Sequence, residues 1–221
     1  MPLYFRNVGT AWNNNTSWST TSSTGASAGV IPTSIDDVIF DANSAATCPV
    51  STTIGLCRDL TTTGYTGTIT LNVDLRIYRN ATIGGTTLTG SSYLSLFSNV
   101  TTLTLNVQVG TTIPNFKVEP QVISPTVTLT NTTVVTNYFK TEVPSGANVT
   151  FTAASAVELR VNNIVSHIRN TNMGTNTTMR FMGGTFISCS LTGTYILDTG
   201  ATLTGTGTNG ATLTFSNFAG G

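Results

Sequence analysis

Charge is what this chain has least of. Lysine, arginine, aspartate and glutamate together supply 8% of its 221 residues, nine basic against nine acidic, where about a quarter is ordinary for a soluble protein. So sparse and balanced a set excludes the basic field that draws in nucleic acid, and it leaves no acidic tail. Charge-driven disorder is excluded too, because mean hydropathy is +0.16 and disorder of that kind needs low hydropathy with high charge. Histidine occurs once, as His167, and the three cysteines, Cys48, Cys57 and Cys189, lack CxxC spacing. Neither set forms a metal-ligand cluster. Cys48 and Cys57 could pair across a short loop, but small buried hydrophobes is the preferred reading. No run approaches the ~20 apolar residues that span a bilayer. The opening Met1-Pro2-Leu3-Tyr4-Phe5-Arg6-Asn7 has no basic region followed by an apolar stretch, so no secretory signal is read there. Helical periodicity is also missing. The nearest approach, residues 153–165, is spoiled by β-branched residues and by Asn162-Asn163.

Threonine fills the space, at about a fifth of the chain. It sits in short alternations such as Thr68-Ile69-Thr70-Leu71, Thr102-Leu103-Thr104-Leu105, Val127-Thr128-Leu129, Val149-Thr150-Phe151 and Ala211-Thr212-Leu213-Thr214-Phe215. Residues two apart in a strand share a face, so the aliphatic and phenyl side chains point inward and the threonines outward. Threonine is β-branched and suits a pleated surface while its hydroxyl stays wet. Glycine, asparagine and proline punctuate the gaps, at Gly84-Gly85, Asn99, Gly110, Pro114, Pro125 and Gly183-Gly184. The chain reads as all-β.

The β-rich groups have centres near Leu105, Leu129, Phe151 and Phe181, a loose recurrence in the twenties. That is the period of one coil of a parallel solenoid, in which each turn stacks on the last. Low charge suits such a stack, since like residues align about 4.8 Å apart and ladders of like charge repel. The expected fold is a right-handed parallel β-helix of about 22 residues per coil; a β-sandwich or jelly roll is the alternative. Residues 1–33 form an N-terminal cap or anchoring segment and residues 34–221 the solenoid domain. Tyr4, Phe5, Trp12 and Trp18 mark the first segment as one that docks, because burying each tryptophan stabilises by about 2–3 kcal/mol. At the other end, Phe215 and Phe218 serve either an oligomer contact or the last rung of the core.

Chemistry is harder to find. No G-x-S-x-G, P-loop or dinucleotide fingerprint occurs. His167 alternates with Ile164, Ser166 and Ile168 and falls on the surface if those face inward. Asp36-Asp37 is the only adjacent acidic pair. As strand neighbours its carboxylates point to opposite faces, so they do not converge on one glycosidic bond. Acceptance of backbone hydrogen bonds at the turn into the first coil is the preferred role. Tyr65, Tyr78, Tyr93, Tyr138 and Tyr195 are possible sugar platforms, but their uneven separations along the chain show no common register. The residues assign no catalytic, cofactor-binding or metal-binding site.

The order of elements in the first ~90 residues carries a resemblance. Trp12-Asn13-Asn14 and Thr16-Ser17-Trp18-Ser19 lead to Val30-Ile31-Pro32-Thr33-Ser34-Ile35-Asp36-Asp37-Val38-Ile39-Phe40-Asp41. Cys57-Arg58-Asp59-Leu60, Gly64-Tyr65-Thr66-Gly67-Thr68-Ile69-Thr70-Leu71 and Leu75-Arg76-Ile77-Tyr78 follow. This resembles the N-terminal cap and first coils of β-helical bacteriophage virion surface proteins and of β-helical bacterial adhesins. The resemblance implies a non-enzymatic virion component, a head decoration (cement), head-fibre or tail-fibre protein made in the host cytoplasm. It implies a homotrimer attached to the major capsid protein or another virion protein, without cofactor, nucleic acid or membrane. A receptor- or glycan-binding adhesin module, contacting a cell-surface glycan, is the alternative role, and a carbohydrate-active enzyme using Asp36 or Asp37 a third.

Overall fold

The computed structural model describes residues 1–215, leaving out 98, 122–123, 144–146, 163–164, 169–170, 189–190, 199–200 and 206–210. It is a right-handed parallel β-helix, as expected, and the sandwich alternative is excluded by the pairing. Strand after strand pairs in parallel with its equivalent one coil on, and among the described residues Pro2–Phe5 with Trp18–Ser19 is the one antiparallel pair. The described residues contain no α-helix, only a 3₁₀ turn at Asn15–Ser17.

Three sides build each coil. Side one stacks Pro2–Phe5, Asp37–Ile39, Asp59–Thr61, Asn80–Ile83, Thr102–Val107, Thr126–Leu129, Val149–Thr152 and Thr171–Met173. Side two begins with Thr47–Val50, Thr68–Leu71 and Thr87–Gly90. The first halves of Thr112–Val118 and Thr133–Thr141 continue it, then Val157–Val161 and Thr177–Phe181. Side three holds Gly55–Cys57, Leu75–Ile77, Leu94–Leu96 and the second halves of those two long strands. Val38, Leu60, Ala81, Leu105 and Leu129 form one inward column on side one. Their numbers advance in nearly even steps, each close to the coil length expected from the sequence. Hydrophobic and hydroxyl positions alternate as the period-two pattern requires: Thr102–Val107 and Thr126–Leu129 bury every second residue.

Residues 1–33 close the first coil. Pro2–Phe5 is itself a rung, in register with Asp37–Ile39. Phe5, Trp12 and Trp18 are buried with Phe40 beneath them. The two indole rings lie 5.1 Å apart edge to face, Phe5 is 4.9 Å from Phe40, and Phe40 is 5.0 Å from Tyr65. Trp18 Nε1 donates to the Trp12 carbonyl at 2.8 Å. Arg6 ties the loop down through the carbonyls of Gly25 and Thr16 at 2.8 and 2.7 Å. Aromatic volume thus fills the top of the first coil and covers its core.

Candidate functional site

The residues singled out in the sequence go to different fates. Phe5, Trp12 and Trp18 are consumed in the cap, fully or almost fully buried, whereas Tyr4 is half-exposed on the outer face of its rung. Phe218 and the side chain of Phe215 lie outside the described residues, as do Cys189 and the side chain of His167. Cys48 and Cys57 are buried free thiols. Burial pushes both thiols well above their usual value, and for Cys57 nearby Asp59 and Asp37 add to the rise.

Asp36 and Asp37 do point apart. Asp36 accepts from the backbone N–H and hydroxyl of Thr33, at 3.0 and 2.6 Å, and from the terminal ammonium at 3.2 Å. Burial works to raise its carboxyl, yet those hydrogen bonds and the ammonium prevail and hold it below the usual value. Asp37 takes a two-pronged bond from Arg58, at 2.8 and 2.7 Å, which lowers it. One coil on, Asp59 takes the same kind of bond from Arg79. The two aspartates are in register, and like charges facing across a sheet repel; the arginine beside each neutralises the column.

What the structure gathers, and residue spacing concealed, is the outer face of side three. Outward residues there form three columns across successive coils. The first runs Asp74, Tyr93, Asn115, Tyr138; the second Leu56, Arg76, Ser95, Lys117, Lys140; the third Tyr78, Phe97, Glu119, Glu142. Tyr78, Tyr93 and Tyr138 therefore share one side, joined by Phe97. Tyr65 and Tyr195 are core residues, their hydroxyls donating to the carbonyls of Ala45 and Thr171. The signal for this grouping was the position just outside an inward pair, such as Leu75-x-Ile77 or Leu94-x-Leu96. It stays invisible until coil lengths are known.

Lys117 sits at the centre of this face, its side chain 8% exposed. Its ammonium reaches Asp74 at 3.0 Å, Glu119 at 2.8 Å and Glu142 at 3.6 Å, and stands 5.5 Å from the centre of the Tyr93 ring. Burial alone would push the ammonium down; hydrogen bonds to Glu119 and Asp74 outweigh it and hold Lys117 above the usual lysine value. Glu142 lies below its ordinary value because pairing with Lys140 and Lys117 overcomes its own desolvation. Arg76 covers the Phe97 ring at 4.1 Å and reaches Glu119 at 3.7 Å. Between Arg76 and Lys117 in the column, Ser95 is completely buried although it points outward. Among the described residues its hydroxyl has no hydrogen-bond partner. Tyr138, 39% exposed, offers its ring to solvent at the end of the face.

Side three therefore presents rings edged by paired charges. Each of the nine acids is held: Asp41 by Ser23 and by Asn43, and the others by an arginine, a lysine or the terminal ammonium. Among the described residues no group of histidine, cysteine or acid side chains could hold a metal ion. No family model, curated protein or solved structure matches the chain.

Proposed function

We propose that this chain is a non-enzymatic structural protein of a virus particle, a bacteriophage capsid-decoration, cement or fibre component that self-associates as a homotrimer. The observation that carries the reading is the pairing of the acids: every carboxylate has a partner within the chain, most of them one or two coils away. A stack so neutralised is stiff, and it leaves uncharged tracts, among them the early coils of side two, where the outward residues are Thr47, Pro49, Thr68, Thr70, Thr87 and Thr89. Uncharged faces associate by burial with little desolvation cost. The cap end supplies the attachment surface. Because Trp12 and Trp18 are inside, contact with the particle falls to half-exposed Tyr4 and to the aliphatic fringe of Val30, Ile31 and Ile35, the last of them 70% exposed.

Two measurements test this. Sedimentation velocity at micromolar concentration should give a trimer; a monomer counts against the assembly. Ile31→Asp with Ile35→Asp should abolish attachment to the particle while leaving the circular dichroism spectrum unchanged, and retained attachment defeats the anchoring role. The rings of side three favour a second reading, a glycan-binding module. A glycan array on which binding appears and is lost in Tyr138→Ala would favour it over a purely structural role.

A further inference from the structure

Side one carries a pattern that neither reading explains. On three successive coils the outward residues are Thr102 and Thr104, Thr126 and Thr128, Thr150 and Thr152, and the strands are in register so that the threonines stand in two straight columns. Asn80 precedes the second column, and the register of the first continues through Asn172 to Thr192. No charged or aromatic residue stands among these outward positions from Asn80 to Thr152. None of the six threonine hydroxyls bonds another described group of the protein, and none of the six residues is fully buried. On side two the comparable hydroxyls of Thr70 and Thr89 do bond each other, at 3.1 Å.

Such a face is a two-dimensional lattice. Its repeats are about 4.8 Å from strand to strand and about 6.7 Å between residues two apart along a strand. At each lattice point stands one hydroxyl and one methyl on a β-branched side chain whose rotation is restricted, so the array is ordered before anything binds. A ligand that engages all of it must itself repeat in two dimensions at similar intervals. A soluble sugar or a peptide does not. A crystalline polysaccharide does, but its sugar rings are held by aromatic platforms, which this side lacks. The prism surface of hexagonal ice has rows of oxygen atoms at comparable spacing in both directions, and each oxygen can donate and accept. Methyl groups between the hydroxyls favour a cage-like water layer, and without charges no strongly bound hydration shell of another geometry competes.

We propose that the threonine face of side one binds ice. The hydroxyls hold lattice waters at the six points while the methyls fill the gaps between them, so that a growing ice surface is pinned where the protein sits. This stands apart from the virion reading, and the two fail separately.

The test is nanolitre osmometry on the full chain, with sedimentation of the same samples. The intact protein should hold the freezing point below the melting point and give faceted crystals. Thr128→Tyr, at the middle of the array, should abolish both effects, and Thr178→Tyr, outward on side two, should leave them intact. If Thr128→Tyr fails to fold by circular dichroism, Thr126→Lys and Thr150→Lys make the same test on neighbouring lattice points. Coincident freezing and melting points in the intact protein overturn the proposal. So does undiminished activity in a folded Thr128→Tyr variant, or a trimer that Thr128→Tyr dissociates, since the face would then be buried between copies.

Discussion

Trp18 shows how much one side chain can carry in a fold of this kind. It is fully buried, touches Phe5, Trp12 and Phe40, and its indole N–H is satisfied by the Trp12 carbonyl. Trp18→Ala removes the middle of that cluster and should cost about 3–5 kcal/mol in a urea titration followed by circular dichroism. The thiols of Cys48 and Cys57 give a second expectation at this scale. Buried and pushed away from the thiolate form, they should resist iodoacetamide in the native protein and react fully in urea, as read by peptide mass spectrometry at these two positions. Single carboxylates set the response to acid. Asp36, Asp37 and Glu142 all titrate below their ordinary values of 3.8, 3.8 and 4.5 in the folded chain. A lowered folded value means that the unfolded chain takes up protons first, so the stabilisation is complete above those ordinary values and disappears as pH falls through the folded ones. Melting temperature should therefore drop below about pH 4, and Asp37→Asn should flatten part of that drop. Lys117 has the opposite sign: its contribution is complete below 10.5 and is lost as pH rises past its raised folded value.

Single coils reveal constraints that no individual residue does. Gly90 closes the strand Thr87–Gly90 with φ +107°, and a Cβ there would collide with the Leu71 carbonyl one coil earlier. Both the dihedral and the close approach demand glycine, so Gly90→Ala should destabilise by more than about 1 kcal/mol, measured as a shifted urea midpoint. The central pairing of side three is likewise a property of stacked strands. Lys117→Met removes the cation shared by Asp74, Glu119 and Glu142, which stand on three different coils or corners. The carboxylates left behind are partly wet, so the loss should be about 2 kcal/mol, less than for a fully buried pair. It should shrink in acid as Glu142, paired with Lys117, takes up its proton.

The whole molecule is a column whose N-terminal end, closed by aromatic rings, is chemically unlike its sides. Parallel stacking places most contacts between adjacent coils, with pairs such as Lys117–Asp74 reaching two coils, and the aromatic cap covers the core of the first coil. Much of this was legible in the sequence. Alternation such as Thr102-Leu103-Thr104-Leu105 announced strands, the spacing of the β-rich groups announced coils, and two tryptophans in a short polar segment announced a docked end. The assignment of those tryptophans between cap and anchor was not legible, because burial against Phe40 depends on how the next coil stacks. Nor was the common side of Tyr78, Tyr93 and Tyr138.

Composition and period-two patterning by themselves determined an all-β chain that buries its aliphatic and phenyl side chains and turns its threonines outward, because strand geometry fixes which residues share a face. Only the tertiary structure decided which outward residues stand together. On side three, Leu75, Leu94, Phe116 and Phe139 stack directly on one another although their spacings along the chain differ, and the turns absorb the difference. With coils of unequal length, distance along the chain does not report position on the surface; the hydrogen-bonded register between coils does.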